Sequence, residues 1–187
     1  KYVHPDDTNR KEIKPKAEPA IRFAEILLIY AEALNELEEG ANYDVSSWDG
    51  STTYSIKRDI DEMKKGIRPI RRRAGVPDYD LETVYKSQDE FRKKMKKERQ
   101  IELMAEGQRY FDLRRWKDAE VEESKKNYGC NFYMSDSKDQ KEQFYTPIEI
   151  TDLPTAFSRK LYFWPISHEE LKRNKRLTQN PGWTYND

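Results

Sequence analysis

The sequence contains few of the residues on which metal, redox and disulfide chemistry depend. Its 187 residues include one cysteine, Cys130, and two histidines, His4 and His168. A single cysteine excludes an internal disulfide, and a thiol without a companion histidine is a poor nucleophile candidate. We therefore expect no catalytic residues, no metal site and no cofactor in this chain.

Long apolar runs and an excess of one charge are missing as well. No segment approaches the roughly 18 consecutive apolar residues of a membrane-spanning helix. Lysine and arginine number 35, as do aspartate and glutamate, so a nucleic-acid binder, which needs a basic face, is not expected. The apolar fraction of 35% is low against the usual ~45–50%. This shortage predicts that the helices bury part of their surface against something outside this chain.

Apolar residues at helical spacing predict two helices in the first half of the chain. The first spans residues 20–39, ends at Gly40, and has a core face of Phe23, Ile26, Leu27, Tyr30, Ala31, Leu34 and Leu37. The second spans residues 54–73 and is amphipathic, with Ile56, Ile60, Met63, Ile67 and Ile70 on one side. Pro69 removes a backbone donor and is expected to kink this helix or to begin a new turn.

Between these helices, residues 41–53 are predicted to be a polar loop that holds Tyr43 and Trp48. Aromatic faces stack on the C–H surfaces of sugars much as they pack on other rings, and Asp49 can accept hydrogen bonds from hydroxyl groups. The alternative is that Trp48 folds back onto its own domain, since loop side chains commonly pack locally. Tyr43, Trp48 and Asp49 are therefore the candidate ligand-binding residues.

A segment rich in acids and arginines precedes Trp116. Ser87 and Glu90 have the spacing of a capping box, and the helix that follows is expected to stack three glutamates four residues apart on one face. With the neighbouring cations they predict a structural ion-pair network of Glu98, Arg99, Glu102, Glu106, Arg109 and Asp112. The basic run 71–73 is expected to find partners among these acids. The alternative, a metal site or an acid–base pair, is disfavoured because helical carboxylate sites usually add a nearby histidine.

Helical periodicity fades after residue 117, which predicts loops that wrap over the helices. Short extended pieces are expected near 144–150 and 160–164. A second capping box, Ser167 with Glu170, begins a short helix that Asn174 closes. Residues 180–182, Asn-Pro-Gly, form a turn.

Three of these segments together resemble one protein family, SusD/RagB. Residues 98–116 resemble its ER…EL…EG-x-R-x-x-DL-R-R-W signature, residues 21–34 its R-x-AE-x-x-L-x-YAEA helix, and residues 161–183 its closing L-x-PI-P…QNPG-W segment. The resemblance implies an all-α, TPR-like helical scaffold with long irregular loops, of which this chain is the C-terminal portion. We expect an extended lead-in (1–19), the helical scaffold (20–116) and a loop-rich wrap with the closing motif (117–187).

Members of this family are surface nutrient-binding lipoproteins of the Bacteroidetes outer membrane. The resemblance implies a protein that captures oligosaccharides without catalysis and passes them to a TonB-dependent, SusC-like transporter. The alternatives are an oligopeptide-binding, RagB-like member and a protein-docking scaffold whose ligand contacts lie elsewhere. The secretion signal and the lipidated cysteine are expected upstream of Lys1, so membrane association is expected to depend on a lipid anchor outside this chain.

Overall fold

Residues 20–131, 144–152 and 155–184 are described by the structure, a computed structural model. The fold is mostly helical, as predicted, with a few short strands, and the predicted lead-in with His4 lies outside the described residues. The α-helices are α1 (Phe23–Asn35), α2 (Ile60–Arg73), α3 (Gln88–Glu102), α4 (Gln108–Arg115), α5 (Ala119–Glu122) and α6 (His168–Arg173). A π-helical turn (Leu81–Tyr85) and a 3-10 turn (Arg159–Tyr162) complete the helical elements of the described part.

Two antiparallel hairpins interrupt the helices. Strand β1 (Tyr43–Ser46) pairs with β2 (Thr53–Ile56), and β3 (Asn127–Gly129) pairs with β4 (Ile148–Ile150). The described residues fall into two compact units that divide between Arg109 and Tyr110. The first hairpin belongs to the first unit and the second hairpin to the second.

Helix α1 buries only part of the core face predicted for it, which includes Ala31 and Leu34. Its buried apolar residues are Leu28, Ala31 and Leu34. Three residues assigned to the core face are exposed instead: Phe23 (75%), Ile26 (48%) and Tyr30 (39%). Leu37 lies beyond the end of the helix at Asn35. The helix is apolar around most of its circumference, so periodicity alone could not identify the stripe that meets a partner.

Helix α2 packs closely on α1 through a glycine. A Cβ atom at Gly66 would lie 2.5 Å from the Leu27 carbonyl oxygen and 2.8 Å from the Ala31 Cβ atom. The Asp59 carboxylate caps the helix by accepting hydrogen bonds from the amides of the next turn, at 2.9 and 3.0 Å. The predicted start at residue 54 is wrong because residues 53–56 form β2. Pro69 lies inside α2, which continues to Arg73, so it does not begin a new turn.

Helix α3 begins at its predicted cap. The Ser87 hydroxyl accepts a hydrogen bond from the Glu90 amide at 3.3 Å, while the Ser87 amide donates to the Val84 carbonyl oxygen rather than to a Glu90 carboxylate. The helix ends at Glu102, and the connection to α4 contains two residues with positive φ, Ala105 and Gly107. The prediction that Glu106 continues the helical stripe is therefore wrong, since α3 has already ended.

In the second unit, side chains of the closing motif hydrogen-bond to the backbone of an earlier segment and hold the two segments together. The Gln179 side chain bonds both the amide and the carbonyl of Ile166, at 2.8 and 2.9 Å, and the Asn180 side chain donates to the Trp164 carbonyl at 2.6 Å. Gly182 has a φ of +81°, and the Trp183 amide donates to the Asn180 carbonyl, which confirms the predicted turn. The expected extended piece at 160–164 is wrong, because a 3-10 turn occupies its first residues.

Candidate functional site

The first hairpin gathers aromatic side chains on one of its two faces. Tyr43 lies opposite Ile56, and Val45 lies opposite Tyr54. Directly opposed residues of an antiparallel pair share a face, as do alternate residues of one strand. One face of this two-stranded sheet therefore carries two tyrosines and two aliphatic side chains. Tyr43 is 38% exposed and Tyr54 57%.

A hydrogen-bonded turn shapes the tip of this hairpin. The Asp49 carboxylate accepts hydrogen bonds from the Ser47 hydroxyl at 2.6 Å and from the Ser51 amide and hydroxyl at 3.1 and 2.8 Å. These bonds, that from the Ser47 hydroxyl foremost, lower the pKa of Asp49 to about 2. Gly50 takes a φ of +70°, which a glycine adopts at little cost. The tip is thus an organised turn rather than a loose loop.

The turn presents Trp48 to solvent. Its indole is 99% exposed, so Trp48 does not fold back onto the described residues of this chain. Asp49 lies beside it, but its carboxylate bonds within the turn. The structure therefore places Tyr43, Trp48 and Asp49 on one hairpin, with Asp49 organising the turn that displays Trp48.

Sequence reasoning missed Tyr54, which it placed at the start of a helix. The available signal was the Asp49-Gly50 dipeptide between two alternating stretches, 43–46 and 53–56, which is a strong short-range indication of a hairpin. The period of two in each stretch would have placed Tyr43 and Tyr54 on a common face.

Acids and arginines of the first unit form a second constellation, and it lies largely out of solvent. Glu98, Arg99 and Glu102 are each less than a tenth exposed, and Arg109 is half-buried. The Glu98 carboxylate contacts the Arg71 guanidinium at 2.6 Å and accepts a hydrogen bond from the Tyr79 hydroxyl at 2.7 Å. Burial and this contact with Glu98 raise the pKa of the Tyr79 phenol.

Arginines from distant parts of the chain bind the other acids of this constellation. Arg22 contacts Glu102 at 3.0 Å and Glu106 at 2.7 Å, and it also donates to the Glu102 backbone carbonyl. Glu102 pairs with Arg73 as well, so the basic run 71–73 does find partners among these acids, as expected. In the second unit, Asp112 is less than a tenth exposed and pairs with Arg115, three residues further along α4, at 2.9 Å. Sequence reasoning did not assign a role to Arg22, which lies 80 residues before Glu102.

The described residues also bear on metal binding and on membrane insertion. Among residues 20–131, 144–152 and 155–184, no group of three or more histidine, cysteine, aspartate or glutamate side chains is arranged to hold a metal ion. Within the same ranges, no helix has the length and apolar character needed to cross a membrane.

Comparison with known proteins identifies the family. Residues 1–183 match the family described as the SusD family. The chain belongs to the SusD family. Because the match covers nearly the whole chain, it includes the hairpin, the ion-paired acids and the closing motif.

Relatives and solved structures within the SusD family agree with this assignment. The chain is 27% identical over 168 residues to SusD-like protein P2 of Formosa agariphila, a match that covers 87% of this chain and 25% of that protein. A solved SusD-like protein from Bacteroides fragilis is 26% identical, with a TM-score of 0.60 over 87% of this chain and 25% of the other. A solved structure of BT4246 shares the fold, at 24% identity and a TM-score of 0.64 over 90% of this chain and 25% of the other. The chain thus spans about a quarter of the length of each of these SusD-like proteins.

Proposed function

We propose that this chain is the C-terminal portion of a surface nutrient-binding protein that captures oligosaccharides. Proteins of the SusD family are, in general, outer-membrane proteins that bind glycans and other nutrients, and this supports the broad class. The observation that carries the proposal is the 99% exposed indole of Trp48 at the tip of an organised turn. An indole that is exposed to water buries no apolar surface and so contributes little to stability. The same flat face can bury apolar surface against the apolar face of a sugar ring.

The hairpin supplies a surface for more than one sugar unit. Tyr43 and Tyr54 share the face below the tip, so a glycan that stacks on Trp48 can extend along them. Hydrogen bonds to the Asp49 carboxylate organise the backbone that carries Trp48, and an organised turn loses less conformational entropy on binding than a loose loop does.

The remaining parts of the proposal follow from the family. Captured oligosaccharides would pass to a TonB-dependent, SusC-like transporter, and the protein would be held at the outer cell surface by a lipid anchor outside this chain. Co-purification of an outer-membrane transporter with the tagged full-length protein from its own cells would support this partner. Recovery of the protein in the soluble periplasmic fraction would contradict the location.

Replacement of Trp48 tests the ligand-binding role. In the full-length protein, Trp48→Ala should weaken oligosaccharide binding roughly tenfold or more. Stacking of a ring on an aromatic side chain contributes about 1–3 kcal/mol. Isothermal titration calorimetry against a panel of neutral oligosaccharides measures the change, and Trp48→Phe should retain part of the affinity.

The matched control is Trp164→Ala, which removes an indole that is 75% exposed but lies on the other unit. Equal affinity of the wild type and Trp48→Ala would remove Trp48 from the site. Equal losses in both variants would indicate a nonspecific effect and would contradict the assignment of the hairpin.

A further inference from the structure

A separate open pocket lies wholly within the unit that starts at Tyr110. Its volume is about 680 Å³, and its charged lining residues are Arg114, Lys117, Glu120, Arg159 and Lys160. Four of these five side chains are cationic and one is acidic. The pocket therefore differs in character from the aromatic hairpin, whose charged residues are the two aspartates Asp44 and Asp49.

Two of the four cations are already neutralised. Arg114 pairs with Glu123 at 2.9 Å, and Arg159 pairs with Glu120 at 3.1 Å. Lys117 and Lys160 have no acidic partner in the part of the chain that the structure describes. Two unpaired ammonium groups in one concave site attract anions, because neighbouring charges of one sign add their potentials.

The fold holds both lysines at this pocket. Lys117 lies two residues after the end of α4 and takes a left-handed φ of +59°. The Lys160 ammonium lies 4.7 Å from the centroid of the Trp183 ring, whose indole nitrogen donates to the Lys160 carbonyl at 3.0 Å. A Cβ atom at Gly182 would lie 2.9 Å from the Lys160 Cβ atom. The closing turn therefore packs directly against the backbone and stem of Lys160.

An aromatic ring completes the pocket. Phe163 lines it and is 57% exposed, so an apolar ring and the two lysines line the same pocket. Tyr162 lines the pocket too, and its buried hydroxyl has no hydrogen-bond partner among the described residues. A ligand that suits these walls has an anionic group and an adjoining flat apolar face with hydroxyl groups.

We propose that this pocket binds a saccharide that carries a carboxylate or sulfate group. The ammonium groups of Lys117 and Lys160 pair with the anion, while Phe163 packs against the sugar ring. This inference rests on the proposed capture of glycans and adds the chemical class of one ligand. Binding is expected to weaken as the salt concentration rises, because exposed charges are screened.

The test compares acidic and neutral forms of one saccharide with the full-length protein. Calorimetry is run with trigalacturonate, with its uncharged methyl ester and with a sulfated galactose oligosaccharide. Wild type should bind trigalacturonate or the sulfated sugar roughly tenfold or more tightly than the ester, and the better of the two identifies the anion. The double variant Lys117→Gln/Lys160→Gln should lose this preference.

A matched double variant controls for net charge. Lys172 and Lys175 are exposed lysines of the same unit outside the pocket, so Lys172→Gln/Lys175→Gln makes the same change in charge elsewhere and should retain the preference. Because Lys117 has a left-handed backbone, Lys117→Gly/Lys160→Gln provides a second variant that removes both charges without strain at this residue. Loss of the preference in this variant as well would support the proposal.

Several outcomes would overturn the inference. The first is equal affinity of the wild type for the acidic saccharide and its ester, and the second is an equal loss of preference in the control double variant. The third is a triglutamate peptide that competes for the pocket as well as the acidic saccharide does. The proposed function is judged separately: binding of neutral glycans that Trp48→Ala abolishes would uphold it even if no acidic saccharide binds. Absence of binding by every saccharide, neutral or acidic, would contradict both.

Discussion

At the scale of single residues, Asp78 shows how local contacts set the charge of a side chain. Burial by itself would raise the pKa of this carboxyl, but bonds from the Arg68 guanidinium, the Tyr85 hydroxyl and the Tyr79 amide outweigh it and lower the pKa below its ordinary value of 3.8. The hydroxyl and amide bonds are both 2.8 Å long. Asp78 thus ties the segment after α2 to the buried Tyr85.

This lowered pKa predicts a pH-dependent contribution to stability. A carboxyl whose pKa is lower in the folded state stabilises the fold above 3.8, and the contribution is lost as the pH falls through the folded-state value. We expect Asp78→Asn to lower the free energy of unfolding by about 1 kcal/mol at neutral pH, with the difference from wild type vanishing in strong acid. Urea denaturation of both proteins between pH 2 and 7 measures it.

The control for this prediction is Asp61→Asn, which removes an 87% exposed carboxylate and should change stability little at any pH. A deficit in Asp78→Asn that stays constant down to pH 2 would show that the charge of Asp78 is not responsible.

At the scale of elements, the packing of α1 on α2 depends on small residues. Ala31 is fully buried, and Gly66 opposes it closely enough that a methyl group would meet the Leu27 carbonyl. Sequence analysis predicted the helices themselves because their apolar periodicity extends over several turns. It could not predict which stripe of α1 packs, since that choice depends on where a small residue of α2 lies in space.

We therefore expect Gly66→Ala to destabilise the protein although alanine is the better helix former. Overpacking costs typically about 1–3 kcal/mol, and the upper part of that range, roughly 2–3 kcal/mol, applies here because the methyl group would meet backbone at 2.5 Å. The gain in helix propensity is about 1 kcal/mol, so a net loss of roughly 1–2 kcal/mol is predicted. Chemical denaturation measures this loss.

Arg72→Ala provides a control on the same helix, because Arg72 is exposed and its replacement should alter stability by no more than about 0.5 kcal/mol. A Gly66→Ala protein as stable as wild type would contradict the close approach of α1 and α2.

The hairpin shows a second reason why an element can be mispredicted from the sequence. Its strands are only four residues long, and the isoleucine that ends β2 also fits the four-residue spacing of the following helix. The longer helical pattern therefore masked the shorter alternation. The Asp49-Gly50 turn signal was sufficient to separate the two, because that dipeptide favours the backbone of a tight turn.

At the scale of the whole molecule, the chain spans about a quarter of its relatives. Phe23, Ile26 and Tyr30 are substantially exposed on α1. The expectation that these helices bury surface against something outside this chain stays a prediction. Determining the structure of the full-length protein would show whether other segments cover them.

We expect no catalytic turnover by the full-length protein. The buried carboxylates of Glu98 and Glu102 form ion pairs with Arg71 and with Arg22 and Arg73, so both already have partners within this chain. Prolonged incubation with each oligosaccharide that binds, followed by chromatography, should reveal no shorter products, with a glycoside hydrolase as the positive control. Cleavage that scales with protein concentration and disappears in Glu98→Gln would contradict this expectation.

The sequence by itself determined the features that depend on neighbouring residues. Helix type, the Ser87 cap, the closing turn and the family signature all follow from local spacing, because capping, periodicity and turn chemistry act over a few residues. Only the tertiary structure decided that α3 stops at Glu102, that Arg22 binds Glu102 and Glu106, and that Trp48 stands free in solvent. These depend on which distant segments meet, and side-chain spacing along one segment carries no information about a partner 80 residues away.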